Sequence, residues 1–286
     1  MHPAIFTKVF DDRSLDGAIE TAARIGYSGV EVMAREPHFP STTSDERAEE
    51  IRSLLDDLDL TVPCLATYTG GYTTKTDEEC EAELAEFERF LALSELLDVD
   101  LLRHGPGGPS VRDATDDDFE RAAAWLRRAA DRADAYDRTI GLEIHSHRLT
   151  ETTDATMRLV ESIDRENVGV IHDAGNMFIV DERYGRGSVD RIGDRLVHVH
   201  LKDLSRVSDR SLSDSFSLET PRGEETFRRE TLGEGDIDYG SLFGALADAG
   251  YEGSVTTEAT VGRIDREEVA GRELDAMGRL IEGAGE

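Results

Sequence analysis

Histidine and carboxylate side chains recur at the ends of apolar, β-rich runs in this sequence. His172 and Asp173 close one such run, His198 and His200 lie in the next, and Glu258 ends the last. Imidazole nitrogens and carboxylate oxygens together bind divalent ions, and an ionised carboxylate can also accept a proton from carbon. The pattern predicts metal-assisted proton transfer at the ends of predicted strands.

The alternation of side chains along a strand indicates which of these groups face one another. In Gly-Leu-Glu-Ile-His the apolar Leu142 and Ile144 share one face, so Glu143 takes the other. In the run that begins at Val197, the valines and the leucine form an outer set, and the histidines and Lys202 point inward. The inward groups that can bind an ion are Glu143, Asp173, His200 and Glu258. Three carboxylates and one imidazole favour one Mn²⁺, Mg²⁺ or Co²⁺ ion, with Zn²⁺ as a further candidate.

Eight β-rich runs alternate with helical patterns, which is typical of β-α-β units and a parallel sheet. Eight such units predict an α/β fold, a (β/α)8 TIM barrel that forms a single domain over residues 1–286. An open, doubly wound sheet is the alternative. The predicted strands are 4–10, 29–33, 61–68, 101–104, 139–145, 168–173, 196–201 and 254–258. A barrel would bring the polar strand ends together at one mouth.

One connection is far longer than the others. Residues 205–234, after the seventh predicted strand, are rich in Ser, Arg and Glu. Connectors of this length within a domain usually have a function, so we expect a long loop that acts as a lid or binds substrate. A flexible polar insertion is the alternative interpretation.

The formal net charge of −30 is spread along the whole chain, and arginine supplies nearly all of the basic residues. This composition resembles that of haloarchaeal cytoplasmic proteins. Such a surface disfavours nucleic acid, whose phosphates need a basic stripe. The sequence shows neither a leader pattern nor a long apolar run, so we expect a cytoplasmic protein that does not enter membranes.

Four motifs resemble those of one known family. They are LEIH at Glu143, HDAGN at Asp173, HVHLKD at His200, and LGEGDIDYGSLFGALADAGYEGSVTTE ending at Glu258. Together they resemble the xylose isomerase-like barrels, which include ketose 3-epimerases, hydroxypyruvate isomerases, inosose dehydratases and endonuclease IV. The resemblance covers nearly the whole chain and implies the same barrel fold. Relatives of this kind often form homo-oligomers, which implies that this chain could do so.

The resemblance implies an activity. In ketose epimerases of this type, the residues that match Glu143 and Glu258 bind the metal, and one abstracts a proton that the other returns. We therefore expect a divalent-metal-dependent isomerase or epimerase acting on a small, unphosphorylated sugar or polyol. A dehydratase of the inosose or dehydroshikimate type is the alternative, because it begins with the same proton abstraction. A sugar-binding barrel without catalysis is a more remote interpretation.

Endonuclease IV is a remote member of this comparison. That enzyme has an Asp-x-His ahead of the Gly-x-Gly, where this chain has Arg228-Arg229-Glu230-Thr231. With the acidic surface, this departure argues against a nucleic-acid substrate.

Further residues are candidates for contact with the substrate. Lys202 could act as a general acid or bind a carbonyl, or it could form an ion pair with a carboxylate. Arg206 matches the spacing of a substrate-contacting arginine in the epimerases, and Asn176 stands where several relatives have histidine. The candidate substrate-binding residues are Arg206, His104, Asn176, Glu31 and Lys8.

The charge of the chain predicts that its stability depends on salt. Repulsion among like charges destabilises the compact state, and screening by salt relieves it. We expect the melting temperature to rise by roughly 5 °C or more between dilute buffer and molar KCl, measured by circular dichroism. Equal melting temperatures in the two solutions would show that the composition is not an adaptation to salt.

Overall fold

The protein forms a closed barrel of eight parallel strands within residues 1–285, the part that this computed structural model describes. The barrel strands are β1 (His2–Phe6), β2 (Gly29–Ala34), β3 (Leu65–Gly70), β4 (Leu101–Gly105), β5 (Thr139–Glu143), β6 (Val168–Asp173), β7 (Leu196–Leu201) and β11 (Ser254–Thr257). Three further strands lie between β7 and β11 in the chain and form a separate sheet. The predicted TIM barrel is therefore confirmed.

Helices surround the barrel and begin at residues that satisfy their first free backbone N–H groups. Ser14, Ser44, Thr76 and Thr115 each accept a hydrogen bond from the backbone three residues later, as expected for N-cap residues. The helices are α1 (Leu15–Ile25), α2 (Asp45–Asp57), α3 (Asp77–Leu97), α4 (Asp116–Asp134), α5 (Thr153–Ile163), α6 (Ala174–Ile179), α7 (Arg186–Ile192), α8 (Tyr239–Asp248) and α9 (Arg266–Gly283). Within residues 1–285, none of them is long and apolar enough to span a membrane.

Apolar side chains fill the lower part of the barrel lumen. One layer consists of Cys64, Leu101, Ile171 and Val197, and another of Phe6, Met33 and Ala66. The predicted outward position of Val197 is wrong. The pairing of β6 with β7 shifts between Val170 and Ile171, so that Ile171 pairs with His198 and Val197 packs in the lumen. From His198 onward the alternation follows the prediction.

The segment 205–234 is mostly a sheet rather than the long loop expected from its composition. Strands β8 (Asp203–Val207), β9 (Ser215–Thr220) and β10 (Gly223–Glu230) pair antiparallel in the order β8-β10-β9. A tight turn joins the last two strands, and its Gly223 has φ of 99°, a conformation that glycine adopts without steric cost. Apolar residues alternate with polar ones along β9, which is the strand signal that the polar composition obscured.

Candidate active site

Four side chains converge at the carboxyl ends of the neighbouring strands β5, β6, β7 and β11. They are Glu143, Asp173, His200 and Glu258, and one possible ligand atom from each lies within 4.8 Å of the others. All four are buried, and Asp173 and Thr256 of the adjacent strands both pair with His200 in register. The structure therefore brings together all four residues that the sequence analysis assigned to a metal ion.

Lys202 joins two of these carboxylates. Its Nζ donates a hydrogen bond of 2.8 Å to Asp173 Oδ2 and a second hydrogen bond to Glu258 Oε1. Although burial opposes it, these two carboxylates raise the pKa of Lys202 above its ordinary value. Of the two interpretations of Lys202, the structure shows the ion pair.

Glycine at position 175 makes room for this lysine. A Cβ at Gly175, in the first turn of α6, would lie 2.3 Å from Lys202 Cγ and 2.8 Å from its carbonyl oxygen. The Tyr239 hydroxyl donates to that same carbonyl at 2.7 Å. The backbone of Lys202 is thus fixed between α6 and α8.

The carboxylates of the cluster differ in their ionisation. Burial raises the pKa of Asp173 to about 7, against the opposing effect of Lys202. Burial also opposes ionisation of Glu258, but the Lys202 and Lys8 ammonium groups lower its pKa to about 2. The pKa of Glu143 is held well below its usual range by Arg103 and His200, although burial again opposes ionisation. Glu143 and Glu258 are therefore carboxylates at neutral pH.

Arg103 is a member of the site that sequence reasoning missed. Its Nη1 donates to Glu143 Oε2 at 3.1 Å, and its guanidinium lies 4.8 Å from the ring of Tyr68. The sequence analysis named only the adjacent His104 as a candidate. Because Leu101 and Leu102 are both apolar, alternation alone does not show which face of this strand is the inner one. A charged residue inside a short apolar strand was the signal that could have identified Arg103.

His104 belongs to the cavity wall but is almost completely buried, and its ring nitrogens have partners within the protein. Its two ring nitrogens lie 2.8 Å from Thr69 Oγ1 and 2.7 Å from the Tyr72 hydroxyl, and its ring packs on Phe87 of α3. Only 1% of the residue is exposed, and burial lowers the pKa of His104 to about 3. Because Arg103 faces inward, its neighbour must face the helices. Both ring nitrogens thus have protein partners, and the predicted substrate contact by this ring stays a prediction.

Glu31 lies beneath the cluster, where it supports His200. His200 Nε2 is 3.0 Å from Glu31 Oε2, and His200 Nδ1 is 3.0 Å from Glu143 Oε1. Glu31 also pairs with His198 at 3.0 Å. It is fully buried and lies outside the cavity wall, so the structure does not place it for the expected contact with substrate. One ring nitrogen of His200 faces the other ligands, and the second faces Glu31.

Arg206 lies outside the set of residues that line the cavity at the mouth. Its Nη2 donates to the Phe178 carbonyl oxygen at 2.8 Å, and its guanidinium stacks 4.2 Å from the Phe178 ring. Asp181 and Glu225 lie 3.4 Å from its nitrogens. The structure therefore turns Arg206 toward the end of α6, contrary to the expected substrate contact.

Asn176 and Lys8 both line the cavity. The Asn176 side-chain amide donates to Asp173 Oδ2 at 2.8 Å and to the Ile144 carbonyl oxygen at 3.1 Å, so it orients Asp173. Lys8 follows β1 in a short 3-10 helix, and its Nζ is 4.0 Å from Glu258 Oε2. Both remain candidates for substrate contact.

The cavity above the cluster has a volume of about 740 Å³, which is ample for a small ligand. Loops after several barrel strands form its wall, and Phe216, Leu218 and Arg229 of the added sheet complete it. The expected contribution of the segment 205–234 to the mouth is thus seen in the structure, although it comes from strands.

The donor set of the cluster fits a divalent ion. Carboxylate oxygens and one imidazole nitrogen are ligands that Mn²⁺, Mg²⁺, Co²⁺ and Zn²⁺ accept. Lys202 bonds Glu258 Oε1 and leaves Oε2 for another partner. Asp173 Oδ2 accepts from Lys202 and Oδ1 from the Asn176 backbone N–H at 2.8 Å, so Asp173 would bind an ion through a remaining lone pair. The ring nitrogen of His200 that faces Glu143 completes the set.

Comparison with known families agrees with this architecture. Residues 19–280 match the model of the family described as xylose isomerase-like TIM barrel. The chain belongs to this family. A curated relative, inosose dehydratase of Lacticaseibacillus casei, is 28% identical over 260 residues, which cover 86% of this chain and 82% of the relative.

Solved structures share the fold over their whole length. The IolI protein with a bound zinc atom superposes with a TM-score of 0.80 at 18% identity, covering 99% of this chain and 98% of that one. D-allulose 3-epimerase from Methylomonas sp. gives a TM-score of 0.75 at 21% identity, with 98% of each chain covered. At these identities the likeness shows the fold.

The position of Glu31 behind His200 predicts a role in metal affinity. A carboxylate that bonds the second nitrogen of a ligating histidine fixes the ring and makes it more basic. We expect Glu31→Gln to weaken Mn²⁺ binding by roughly 10- to 100-fold in titration calorimetry.

Glu273→Gln is the matched control, since Glu273 is also a buried glutamate but bonds Leu232 and Thr257, away from the cluster. Equal Mn²⁺ affinity of wild type and Glu31→Gln would show that Glu31 does not support the ligand.

Proposed function

We propose that the protein is a divalent-metal-dependent enzyme that removes a proton next to a carbonyl of a small polyhydroxylated substrate and then eliminates water. The observation that carries this proposal is the convergence of Glu143, Asp173, His200 and Glu258 in one cluster, two of whose members line the cavity, with the Lys202 Nζ between Asp173 and Glu258. The inosose dehydratase of Lacticaseibacillus casei supports dehydration as the overall reaction.

Glu143 and Glu258 are the candidate bases. Both are ionised at neutral pH by their buried cationic partners, and both line the cavity. A divalent ion held by the four ligands would supply a Lewis acid that polarises the substrate carbonyl and makes the neighbouring C–H more acidic. The base then has to remove a proton from carbon, which one positioned carboxylate can do.

Lys202 holds a proton at Nζ beside the same carboxylates. Its raised pKa keeps the ammonium form, which favours a hydrogen bond to a substrate oxygen over release of the proton. An ammonium in that position would stabilise negative charge on a carbonyl or a departing hydroxyl oxygen. The proton that the carboxylate has taken from carbon then passes to the departing hydroxyl, which leaves as water and regenerates the base.

Epimerisation is the second candidate. Glu143 and Glu258 belong to β5 and β11, which are separated by two strands in the barrel order, so the two carboxylates can approach one carbon from different sides. One could remove a proton and the other return it. Proton NMR of the products in D2O separates the candidates: dehydration loses water and gives an enol or ketone, whereas epimerisation retains the formula and places one deuterium on carbon.

The proposal predicts that activity depends on the metal ion and on both glutamates. We expect chelation followed by gel filtration to abolish turnover of keto-polyols, and Mn²⁺ to restore it. Glu143→Gln and Glu258→Gln should each lower kcat by about 10²- to 10⁴-fold, because a neutral amide cannot accept the proton.

Glu219→Gln, at an exposed position on β9, is the control and should retain wild-type turnover. Full activity after chelation, or in both active-site variants, would refute the proposed mechanism. Binding of a polyol without any turnover would identify the protein as a sugar-binding barrel.

A further inference from the structure

Basic residues outnumber acidic ones in the wall of the cavity, whereas acidic residues predominate in the chain as a whole. The protein has 32 basic residues against 62 acidic ones, but six basic side chains line the cavity against four acidic ones. All three lysines of the sequence, Lys8, Lys75 and Lys202, are among them. The remaining basic residues of the wall are Arg103, Arg148 and Arg229. The cavity therefore has a local charge opposite to that of the protein.

Part of this positive charge neutralises the candidate metal ligands. Arg103 pairs with Glu143, and Lys202 pairs with Asp173 and Glu258. Lys75 pairs with Glu83 at 2.6 Å, so its charge is already balanced by a side chain of the protein. Lys8 Nζ also lies 4.0 Å from Glu258 Oε2. These contacts account for four of the six basic groups.

The two other acidic groups of the wall already have partners. Glu230 accepts hydrogen bonds from Arg228 at 2.7 Å and from Arg263. Asp203 accepts from the backbone N–H groups of Gly233 at 2.8 Å and Gly235 at 3.0 Å. Neither carboxylate is therefore available to neutralise another arginine.

Arg148 and Arg229 remain without a charge partner. Within residues 1–285, no carboxylate oxygen lies within 4.0 Å of either guanidinium, and neither side chain makes a hydrogen bond. In a chain with this excess of acid, arginines elsewhere at the surface commonly find a carboxylate, as Arg128 and Arg165 do. Within the same range, Arg183 at the surface also lacks a carboxylate partner, so the position in the cavity wall is what distinguishes Arg148 and Arg229.

Arg229 is also held in place. Its guanidinium lies 4.7 Å from the centre of the Phe216 ring, and Phe216 itself lines the cavity. Stacking on an aromatic ring restrains a guanidinium while leaving its N–H groups free to donate. The guanidinium can therefore meet an anion with little loss of conformational freedom.

We propose that this cavity selects a polyhydroxylated substrate with an anionic oxygen group, a carboxylate or a phosphate ester, which Arg148 and Arg229 bind. The inference rests on the proposed function for the identity of the reacting end, which would face Glu143 and Glu258. Guanidinium groups pair with two oxygens of either anion, and such charge-assisted hydrogen bonds are among the stronger ones. The local positive charge also offsets the repulsion that the acidic surface exerts on an anion.

Matched ring polyols test this preference by titration calorimetry on the full chain with Mn²⁺. The probes are myo-inositol, which is neutral, quinate, which carries a carboxylate, and myo-inositol 1-phosphate. We expect wild-type protein to bind at least one of the two anions on the order of tenfold more tightly than myo-inositol. Which anion binds better identifies the group.

The arginine variants assign this preference to residues. Arg148→Gln and Arg229→Gln should each weaken binding of the preferred anion by roughly tenfold and leave the affinity for myo-inositol unchanged. Arg183→Gln is the control: Arg183 is exposed, lies outside the cavity wall and has no carboxylate within 4.0 Å among residues 1–285. It should bind all three probes as wild type does.

Several outcomes would overturn the inference: tighter or equal binding of myo-inositol, an equal loss for all probes in the arginine variants, or binding of none of the three. Failure of the proposed function gives a different result. In that case the anion preference and its loss in the variants persist, while chelation and Glu143→Gln leave turnover unaffected or no turnover is found.

Discussion

Four carboxylates share the upper lumen of this barrel, and the structure depends on a positive or hydrogen-donating partner for each of them. Burial of unpaired charge costs several kcal/mol per ion, so Glu31, Glu143, Asp173 and Glu258 could not remain together without compensation. Arg103, Lys202 and the histidines of β7 provide it. The same contacts orient the oxygens that are free to bind an ion or a substrate.

These pairings form a continuous network across the barrel. Glu31 bonds His200, His200 bonds Glu143, and Glu143 bonds Arg103. On the other side, Lys202 connects Asp173 with Glu258, while the helix-capping role of Asp173 ties it to α6. A change at one member shifts the charge balance of its neighbours, since few water molecules can reach this depth to screen it. The chemistry of the mouth is therefore set by side chains well below it.

Much of this arrangement could be predicted from the sequence. The repeated β-rich runs specified the barrel, and alternation within Gly-Leu-Glu-Ile-His placed Glu143 inward because its neighbours are apolar. Alternation predicted the inner face less well where neighbouring residues along a strand do not differ in polarity. Two consecutive leucines in β4 do not show whether Arg103 or His104 faces inward, and only His104 was named as a candidate. The shift in register at Val197 depends on pairing with β6, which no single strand reveals.

Tertiary contacts decided the remaining errors. Arg206 has the spacing of a substrate contact, but Phe178 and Asp181 at the end of α6 attract its guanidinium. Glu31 lies in the middle of β2 rather than at its end, and its buried carboxylate bonds the histidines of β7 instead of lining the cavity. The polar composition of residues 205–234 concealed three strands, because alternation in a solvated sheet includes many charged residues. Sequence patterns thus predicted the face of the strand on which a side chain lies more reliably than the side chains that it contacts.

The central claim is that Glu143, Asp173, His200 and Glu258 bind one divalent ion. An anomalous difference map from a crystal soaked in Mn²⁺, recorded near the manganese absorption edge, tests it most directly. The account predicts one strong peak within about 2.0–2.3 Å of His200 Nδ1 and of an oxygen from each of the three carboxylates. A map without a peak there, or with the peak between Glu31 and His198 instead, would contradict the account.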